Sequence, residues 1–290
     1  MVINTLICVF FVVCLVVIVQ SHREFKNFRI TDYIISDDEI PDSFNGYRIA
    51  VIGDLHNACY GDGNCELIKT LRKEKPDIVI LCGDMILCRE RARAANMKTA
   101  DFITDLSREF EVYYGIGNHE RGVKDIKDKV GDMWNTYIDR LPDNIRILSD
   151  EHTEIENQNE KIYIYGLDID RYFYKRIKNI PMSGDYLKKK LGDKPDEYTI
   201  LIAHNPDYFK NYAVWGANLT FSGHIHGGMI RIPGLGGVIS PKLRIFPKYD
   251  YGYFKYDNKH MIVTGGLGAH FPKIRVNNRP ELVMVELRSK

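Results

Sequence analysis

The hydrophobic pattern begins with an unbroken apolar run from Val2 to Val19, in which only Asn4 and Thr5 are polar. A membrane-spanning helix needs about 20 apolar residues, with a range of about 17–25. A globular core helix would usually keep a polar face, which this segment lacks. We therefore expect residues 1–22 to form an uncleaved, single-pass anchor in the cell membrane. The alternative is a cleaved signal peptide, because residues 19–21 resemble a cleavage site.

The side of the membrane on which the rest of the chain lies stays open. Arg23, Lys26 and Arg29 follow the apolar run, and no basic residue precedes it. The positive-inside rule then favours a cytoplasmic domain. A signal-like start favours export.

From Tyr47 onward, short apolar runs alternate with stretches of helical pattern. The predicted buried strands are 48–53, 77–82, 111–116, one near 145, 198–203, 218–222, 261–264 and 282–287. The predicted helices are 66–75, 95–108 and 123–141. We also expect a hairpin over 152–167, and a connector with an edge strand in 23–46. This alternation predicts one α/β domain over 47–290, with a sheet on each side of its core.

Composition excludes several classes of protein. Hydrophobic residues make up 44% of the chain and charged residues 27%, so the chain is not disordered or of low complexity. The net charge of +1 gives no indication of nucleic-acid binding. Six cysteines without a Cys-x-x-Cys pair predict neither a disulfide scaffold nor a zinc ribbon, and the pairing of Cys59, Cys65, Cys82 and Cys88 stays open.

The candidate chemistry lies in five short motifs, each directly after a predicted strand. They are Gly53-Asp54-Leu55-His56, Gly83-Asp84, Gly117-Asn118-His119-Glu120, Ala203-His204-Asn205 and Gly223-His224-Ile225-His226. In α/β sheets, ligands bind beyond the carboxyl ends of the strands. An interpretation as unrelated turns and helix caps would require the same coincidence five times.

The residue types in these motifs indicate metal binding. The candidate ligands are Asp54, His56, Asp84, Asn118, His204, His224 and His226. Carboxylate, imidazole and amide oxygen suit manganese, iron, zinc and related divalent ions. One ion needs about four protein ligands, so this set suffices for two ions if a carboxylate bridges them. We expect Asp-x-His and His-x-His to lie on extended segments, where alternate side chains point to the same side.

The set DLH, GD, GNHE, AHNP and GHIHGG resembles the motifs of the calcineurin-like metallophosphoesterases, from Tyr47 to the C-terminus. The resemblance extends to a membrane-anchored bacterial subgroup that includes UDP-2,3-diacylglucosamine hydrolases of lipid A synthesis, through segments 227–233, 246–252, 266–268 and 278–281. It implies a four-layer α-β-β-α sandwich of two mixed sheets with flanking helices.

The resemblance also implies a role for each motif residue. It assigns Asp54, His56 and His226 to a first metal ion, Asn118, His204 and His224 to a second, and Asp84 to both. His119 matches a catalytic histidine that does not bind metal. Two departures from the family pattern are Gly53, where serine is usual, and Thr264-Gly265, where Ser-Arg is more common.

The function implied is that of a membrane-anchored phosphoesterase with two divalent metal ions, which hydrolyses a phosphodiester or pyrophosphate bond with a metal-activated hydroxide. We expect manganese, with iron, zinc, cobalt or nickel as alternatives. A lipid-linked or nucleotide-sugar-lipid substrate fits an anchored domain. The alternatives are a non-catalytic metal-binding module on the same fold, a protein or phosphomonoester phosphatase, and a mononuclear metal protein.

Substrate contacts are less sharply indicated. The basic candidates for phosphate are Arg231, Lys242, Arg244 and Lys248, interleaved with the aromatic residues Phe246, Tyr249, Tyr251, Tyr253 and Phe254. We favour the interpretation that the aromatic rings are core and the basic groups solvated. Segment 171–176, rich in aromatic and basic residues, is a candidate for contacting lipid or capping the cleft.

Overall fold

The computed structural model describes residues 2–175, 180–240, 244–269 and 273–290. Its first element is helix α1, Val2–Glu24. Segment Asn4–Glu24 is long and apolar enough to cross a membrane, and its large apolar side chains, such as Leu6 and Phe10, are exposed.

The remaining chain folds into alternating strands and helices. The strands are β1 Arg29–Asp37, β2 Arg48–Ile52, β3 Ile78–Leu81, β4 Glu111–Gly115, β5 Arg146–Leu148, β6 Glu151–Asn157, β7 Glu160–Leu167, β8 Thr199–Ala203, β9 Leu219–Ser222, β10 Ile230–Ile232, β11 Gly236–Ile239, β12 Gly252–Tyr256, β13 Lys259–Val263 and β14 Glu281–Ser289. The helices after α1 are α2 Cys65–Glu74, α3 Arg93–Ser107, α4 Asn118–Asp125, α5 Lys127–Val130, α6 Met133–Ile138, α7 Tyr186–Leu191 and α8 Phe209–Trp215.

The first sheet has the strand order β1-β14-β2-β3-β4-β5. Strands β2, β3, β4 and β5 run parallel, as the predicted βαβ units require, and β14 is antiparallel to β2. Strand β1, which lies within 23–46, is the edge strand of this sheet and pairs with β14. The carboxyl ends of β2, β3 and β4 therefore lie at one edge of this sheet.

The second sheet has the order β12-β13-β9-β8-β7-β6. Strands β7, β8, β9 and β13 are parallel, while β6 and β12 pair antiparallel at the two edges. The predicted hairpin over 152–167 is confirmed by the β6–β7 pair. The carboxyl ends of β8 and β9 therefore lie at the same edge of this sheet, where the last two motifs follow them.

The two sheets pack face to face, with helices on their outer faces. Alternate residues of β2, such as Ile49 and Val51, pack with Ile200 and Ile202 of β8 between the sheets. The other residues of β2 pack outward against α2 and α3. On the second sheet, Leu201 packs outward with residues of α7 and α8. Both faces of the central strands are buried, which explains their continuous apolar runs and confirms the α-β-β-α layers.

The predicted single helix over 123–141 is wrong. Helix α4 begins at Asn118, and the segment continues as the two short helices α5 and α6. Ile126 leaves the helical region with φ −109° and ψ 51°, and Gly131 has a positive φ of 61°. Since one helix cannot continue through either conformation, the chain folds into three short pieces.

Two further elements carry no clear alternation in the sequence. The short antiparallel hairpin β10–β11 follows the last histidine motif, and β12 lies at the edge of the second sheet. All six cysteines are free thiols.

Candidate metal centre

The five motifs converge where the carboxyl ends of strands from both sheets meet. Three groups of potential ligands each have donor atoms within 4.8 Å of one another: Asp54, His56 and His226; Asp84, His204 and His224; and His56, Asp84 and His119. Residues that follow β2, β3 and β4 of the first sheet thus lie beside residues that follow β8 and β9 of the second. The structure therefore brings residues of all five motifs together, although these residues are up to 172 positions apart along the chain.

The first group is formed by the Asp-x-His motif and the last histidine. His226 Nε2 lies 3.3 Å from Asp54 Oδ1 and 3.1 Å from His56 Nε2. The rings of His56 and His226 stack with their centroids 4.9 Å apart. Two imidazole nitrogens and a carboxylate oxygen therefore converge on one point, as they do around a divalent cation.

The second group is formed by Asp84 and two histidines of the second sheet. His204 Nε2 lies 3.3 Å from Asp84 Oδ2. His204 Nδ1 lies 2.7 Å from the carbonyl oxygen of Cys82. A proton on Nδ1 satisfies that carbonyl and leaves Nε2 with a lone pair directed into the site, which is the usual state of a metal-binding histidine.

Buried polar atoms in the site lack hydrogen-bond partners among the described residues. They are Asp54 Oδ1, Asn118 Oδ1 and His204 Nε2. Burying such acceptors without a donor costs free energy, about 1–3 kcal/mol for each group. All three atoms can donate an electron pair to a cation, so the residues present fit bound divalent metal.

Asp84 lies between the two groups. Its Oδ2 is 3.3 Å from His204 Nε2 and 3.8 Å from His56 Nε2, while Oδ1 accepts the backbone N–H of His119 at 2.7 Å. Burial raises the pKa of this carboxyl, but His204, His119 and His56 outweigh burial and hold the pKa well below its ordinary range. Burial, with the nearby Asp84 charge, raises the pKa of Asp54 to about 7. Two buried carboxylates this close need positive charge between them.

The expectation that Asp-x-His and His-x-His lie on extended segments is wrong. Asp54, His56, His224 and His226 have φ between 47° and 72°, and Asp84 has φ 54°. These values lie in the left-handed region, which non-glycine residues rarely adopt. The chain turns sharply after each strand and aims two side chains inward, at a backbone cost that surrounding contacts must offset.

Glu120, for which the motifs predict no role, makes several contacts that offset this cost. Its fully buried carboxylate accepts the backbone N–H groups of Asp84 and Met85 at 2.8 Å each, and of Gly117 at 3.1 Å. Burial, with the Asp84 charge, raises the pKa of Glu120 to about 7. Glu120 is the third residue of α4, and its carboxylate accepts the N–H of the N-cap residue Gly117, which has no side chain to complete a capping box. An acid three positions after the N-cap is the sequence signal for this contact.

A second contact is Arg275, whose side chain is buried. Its guanidinium donates to the carbonyl oxygens of Gly265, Gly266 and Gly268, at distances from 2.6 to 3.1 Å. Burial lowers its pKa to about 10. The loop that it binds contacts the first motif, because the N–H of Gly268 donates to the carbonyl of Asp54 at 2.7 Å. No sequence pattern points to Arg275, since nothing in the sequence distinguishes it from the neighbouring basic residues Lys273 and Arg279.

His119 lies at the side of the centre. Its Nδ1 accepts the backbone N–H of Cys88 at 2.8 Å, and its Nε2 lies 4.0 Å from Asp84 Oδ2. The ring is 4.8 Å from that of His56. Because Nδ1 is an acceptor, the neutral ring carries its proton on Nε2, which faces the carboxylate.

Segment 171–176 borders the same site, as far as it is described. A short 3-10 helix, Arg171–Tyr174, places the Tyr174 ring edge-on to His224, with centroids 4.9 Å apart. Burial raises the pKa of Tyr174 well above its ordinary value. Arg176 lies outside the described residues. The tyrosine therefore forms part of the wall beside the second group of ligands.

The basic candidates for phosphate are held by other side chains. Arg231 forms an ion pair of 2.8 Å with Asp250, and Arg244 forms one of 2.6 Å with Asp207. Lys248 lies over the ring of Tyr249 at 4.9 Å. Lys242 lies outside the described residues. The expectation that these basic groups are solvated is therefore wrong for Arg231 and Arg244, whose ion-paired side chains are only 18% and 22% exposed.

The aromatic residues divide into two sets. Tyr249 and Phe254 pack against a small core cluster on the second sheet, as expected for core residues. Phe246 and Tyr253 are exposed. The expectation that this interleaved set is core is therefore correct for only part of it.

The two positions that depart from the family pattern, Gly53 and Thr264, are adjacent in the structure. A Cβ at Gly53 would lie 2.7 Å from Cγ2 of Thr264. The backbone N–H of Gly265 donates to Glu281 Oε1 at 2.7 Å. With threonine at 264, position 53 has no room for a side chain unless that methyl group moves.

Known proteins match this chain over most of its length. It is 27% identical over 280 residues to an uncharacterized metallophosphoesterase of Aquifex aeolicus, covering 93% of this chain and 95% of that protein. It is 25% identical over 244 residues to the phosphodiesterase YaeI of Escherichia coli, covering 83% and 82%. It is 25% identical over 291 residues to the UDP-2,3-diacylglucosamine pyrophosphatase LpxG of Chlamydia muridarum, covering 86% and 87%.

The family model for the calcineurin-like phosphoesterases matches residues 47–228, which include all five motifs. That family implies a site for two divalent metal ions and hydrolysis of phosphoester bonds. The resemblance found in the motifs is thereby confirmed. The chain belongs to the calcineurin-like phosphoesterase family.

Proposed function

We propose that this protein is a membrane-anchored phosphoesterase that hydrolyses a phosphodiester or pyrophosphate bond in a lipid-linked substrate. The observation that carries the proposal is the pair of ligand groups on either side of Asp84. The proposed ligands are Asp54, His56 and His226 for one ion, Asn118, His204 and His224 for the other, and Asp84 for both. Oxygen and imidazole donors without thiolate favour manganese, with iron, zinc, cobalt or nickel as alternatives.

Bound divalent ions would supply positive charge for the phosphoryl oxygens and lower the pKa of water towards about 7. The protein contributes by holding the ligand side chains in fixed orientations. Asp84 keeps one oxygen on the His119 backbone N–H, which fixes the direction of the other oxygen. His204 is oriented by the Cys82 carbonyl in the same way.

His119 is the proposed proton donor to the leaving oxygen. The Cys88 N–H occupies Nδ1, so the proton on Nε2 is the one available to a substrate beside Asp84. Proton transfer from Nε2 to the departing alkoxide starts from the imidazolium form of His119 and leaves neutral imidazole, whereas the neutral ring, with the Cys88 N–H on Nδ1, donates only a hydrogen bond from Nε2 to the leaving oxygen. General acids of this kind typically contribute about 10²–10⁴-fold to the rate.

The anchored, lipid-linked part of the proposal is supported by α1 and by one relative. Helix α1 exposes apolar side chains along its length. The LpxG protein is named as a pyrophosphatase of a diacylated nucleotide sugar. We propose residues 1–22 as anchor, 23–46 as connector with an edge strand, and 47–290 as the phosphoesterase domain, without assigning a side of the membrane.

The experiment uses the full chain in detergent, stripped of metal and reloaded with Mn²⁺. Activity is measured on bis(p-nitrophenyl) phosphate, and metal is counted per chain by mass spectrometry. Asp84→Asn should lower both metal content and turnover, the latter by about 10³-fold or more. His119→Ala should keep two ions and lose about 10²–10⁴-fold in rate.

Controls are Asp132→Asn and His152→Ala, which change exposed residues outside the site. Both should behave as the parent protein. Full activity of Asp84→Asn, or an inactive parent protein with two bound ions, would contradict the proposed hydrolysis. A substrate panel with a phosphomonoester, a phosphodiester and a nucleotide-sugar lipid then tests the substrate class.

A further inference from the structure

An exposed apolar surface lies directly after the last histidine motif. Its members are Ile232 at 43% exposure, Leu235 at 65%, Ile245 at 70% and Phe246 at 55%. The first two belong to hairpin β10–β11 and its turn. The other two follow closely, since Ile245 pairs with Ile239, and the N–H of Phe246 donates to the Val238 carbonyl at 3.0 Å. We call these four side chains the apolar rim.

The hairpin that carries the apolar rim is hydrogen-bonded to residues 273–276, and this segment also contacts the end of α1. Ser21, near the end of that helix, donates to the Lys273 carbonyl at 3.3 Å and accepts the Arg275 N–H at 3.0 Å. One residue further along, Val276 exchanges backbone hydrogen bonds with Met229 and Arg231 at 3.0 and 2.9 Å. Hairpin β10–β11 therefore starts within a few residues of the helix end.

A second, independent contact joins the hairpin to the juxtamembrane chain. The Arg231 guanidinium lies 4.7 Å above the ring of Tyr251. The hydroxyl of Tyr251 accepts a hydrogen bond from Arg29 at 2.5 Å. Arg29 begins β1, five positions after α1 ends at Glu24. The hairpin is thus fixed between the helix end and the first strand.

The neighbouring surface identifies the occupant of the apolar rim. Helix α1, whose end contacts the same segment as the hairpin, also exposes apolar side chains, which would lie among lipid tails. The exposed basic residues Lys273 and Arg279 lie in the segment that contacts both α1 and the hairpin. Apolar side chains beside basic ones suit the boundary of a bilayer, where anionic headgroups attract each base by about 1 kcal/mol.

The position of the rim links this surface to the metal centre. Strand β10 begins four positions after His226, and the His226 carbonyl accepts Asn278 Nδ2 at 2.7 Å. We propose that the apolar rim inserts into the bilayer boundary beside α1 and holds the metal centre at the membrane surface, where it receives an amphipathic phosphoester from the lipid layer. The second half of this statement rests on the proposed function; the first does not.

Insertion is tested with tryptophan substitutions in the full chain, reconstituted in vesicles of phosphatidylcholine and phosphatidylglycerol with brominated acyl chains. Leu235→Trp should add emission that brominated lipid quenches beyond the quenching of the two native tryptophans. The matched control is Val214→Trp on α8, where the parent residue is equally exposed at 66%. Its added emission should not be quenched.

Equal quenching at both positions, or none at either, would overturn insertion. A shift in Leu235→Trp emission that follows protein concentration instead of lipid would also overturn it, because a second copy would then cover the rim. None of these readouts depends on catalysis.

The substrate route is tested with Leu235→Asp and Ile245→Asp combined. Hydrolysis of a lipid-embedded phosphodiester in vesicles should fall by about tenfold, while hydrolysis of soluble bis(p-nitrophenyl) phosphate stays unchanged. Equal activity of the variant and the parent protein on both substrates would refute the route. An inactive parent protein would instead refute the proposed function, and the quenching result would still decide insertion.

Discussion

The two sheets contribute different chemistry to the metal centre. The first sheet supplies both carboxylates, Asp54 and Asp84, together with the Asn118 amide oxygen and His56, whereas the loops after the second sheet's strands supply imidazoles. Carboxylates alone would repel one another, and imidazoles alone would carry no charge to neutralise a cation. A set of donors suited to a divalent cation therefore forms only when the two sheets pack against each other.

The two halves also differ in what holds them. Glu120 binds the loop after β3 directly through backbone hydrogen bonds, whereas Arg275 binds residues 265–268 after β13, which in turn contact the Asp54 carbonyl. The second-sheet half is oriented by the first, because His204 bonds the Cys82 carbonyl and the His224 N–H donates to Asp54 Oδ2 at 2.8 Å. Damage to the first half should therefore spread to the second.

The largest expected effect comes from Glu120→Gln, which leaves the shape of the side chain intact. One carboxylate oxygen becomes an NH₂ group that faces backbone N–H donors of Asp84 or Met85, so buried donors lose their acceptor. We expect a loss of about 1–3 kcal/mol in the free energy of unfolding. Both ions should be bound more weakly, measured by titration of metal and by chemical denaturation.

The control is Glu156→Gln, an exposed glutamate on β6. It should leave stability and metal binding unchanged. If Glu120→Gln weakened only one of the two ions, the proposed dependence of the second half on the first would be wrong.

A similar loss of stability, but a smaller effect on metal binding because the change lies away from the ligand loops, is expected from widening the gap between the sheets with Gly115→Ala. A Cβ at position 115 on β4 would lie 2.2 Å from Cγ2 of Ile202 on β8, so the sheets must shift. Overpacking of this kind typically costs about 1–3 kcal/mol. Metal affinity should fall with stability, because the two halves separate. Removing the clash with Ile202→Ala in the same chain should restore part of the metal affinity, although loss of the buried Ile202 side chain itself lowers stability.

Gly184→Ala is the matched control, since a Cβ there meets nothing within 4 Å. Full metal affinity in Gly115→Ala, together with lost stability, would mean that the spacing of the sheets does not set the geometry of the site.

Much of this fold is predictable from local sequence. The buried strands are recognisable because both faces of the central strands are covered, which requires continuous apolar runs such as Ile78–Leu81. The hairpin β10–β11 is not recognisable in this way, because it has exposed apolar residues and no buried face. The end of helix α5 before Gly131 is not predictable from sequence, because a glycine inside a helical pattern does not by itself end the helix.

The candidate ligand residues can be recognised by type and by position after strands, but the way their backbone is held cannot. Left-handed backbone at His224 and His226 has no signature in residue type. Arg275 acts through carbonyl groups of residues 265–268, a contact that only the tertiary fold creates. The sequence thus indicates which side chains carry the chemistry, while packing determines how they are positioned.

The smallest expected effect is at the opposite edge of the sandwich, where β1 of the first sheet meets β13 of the second. Asp37 Oδ2 lies 3.5 Å from His260 Nε2, and Asp37 Oδ1 accepts the Glu39 N–H at 3.0 Å. Burial alone would raise the pKa of Asp37, but these contacts outweigh it and lower the pKa to about 2.

A carboxyl whose pKa is lowered by folding stabilises the folded state above its unfolded pKa, and this stability is lost as the pH falls through the folded pKa. Asp37→Asn should therefore cost about 1 kcal/mol at pH 7, after allowance for solvent screening, and about half of that near pH 3. Chemical denaturation of the variant and the parent protein at both pH values measures the difference. Metal content should stay unchanged, because this contact lies away from the site. A cost that stayed constant between pH 7 and pH 3 would show that the charge of Asp37 does not join the two sheets at this edge.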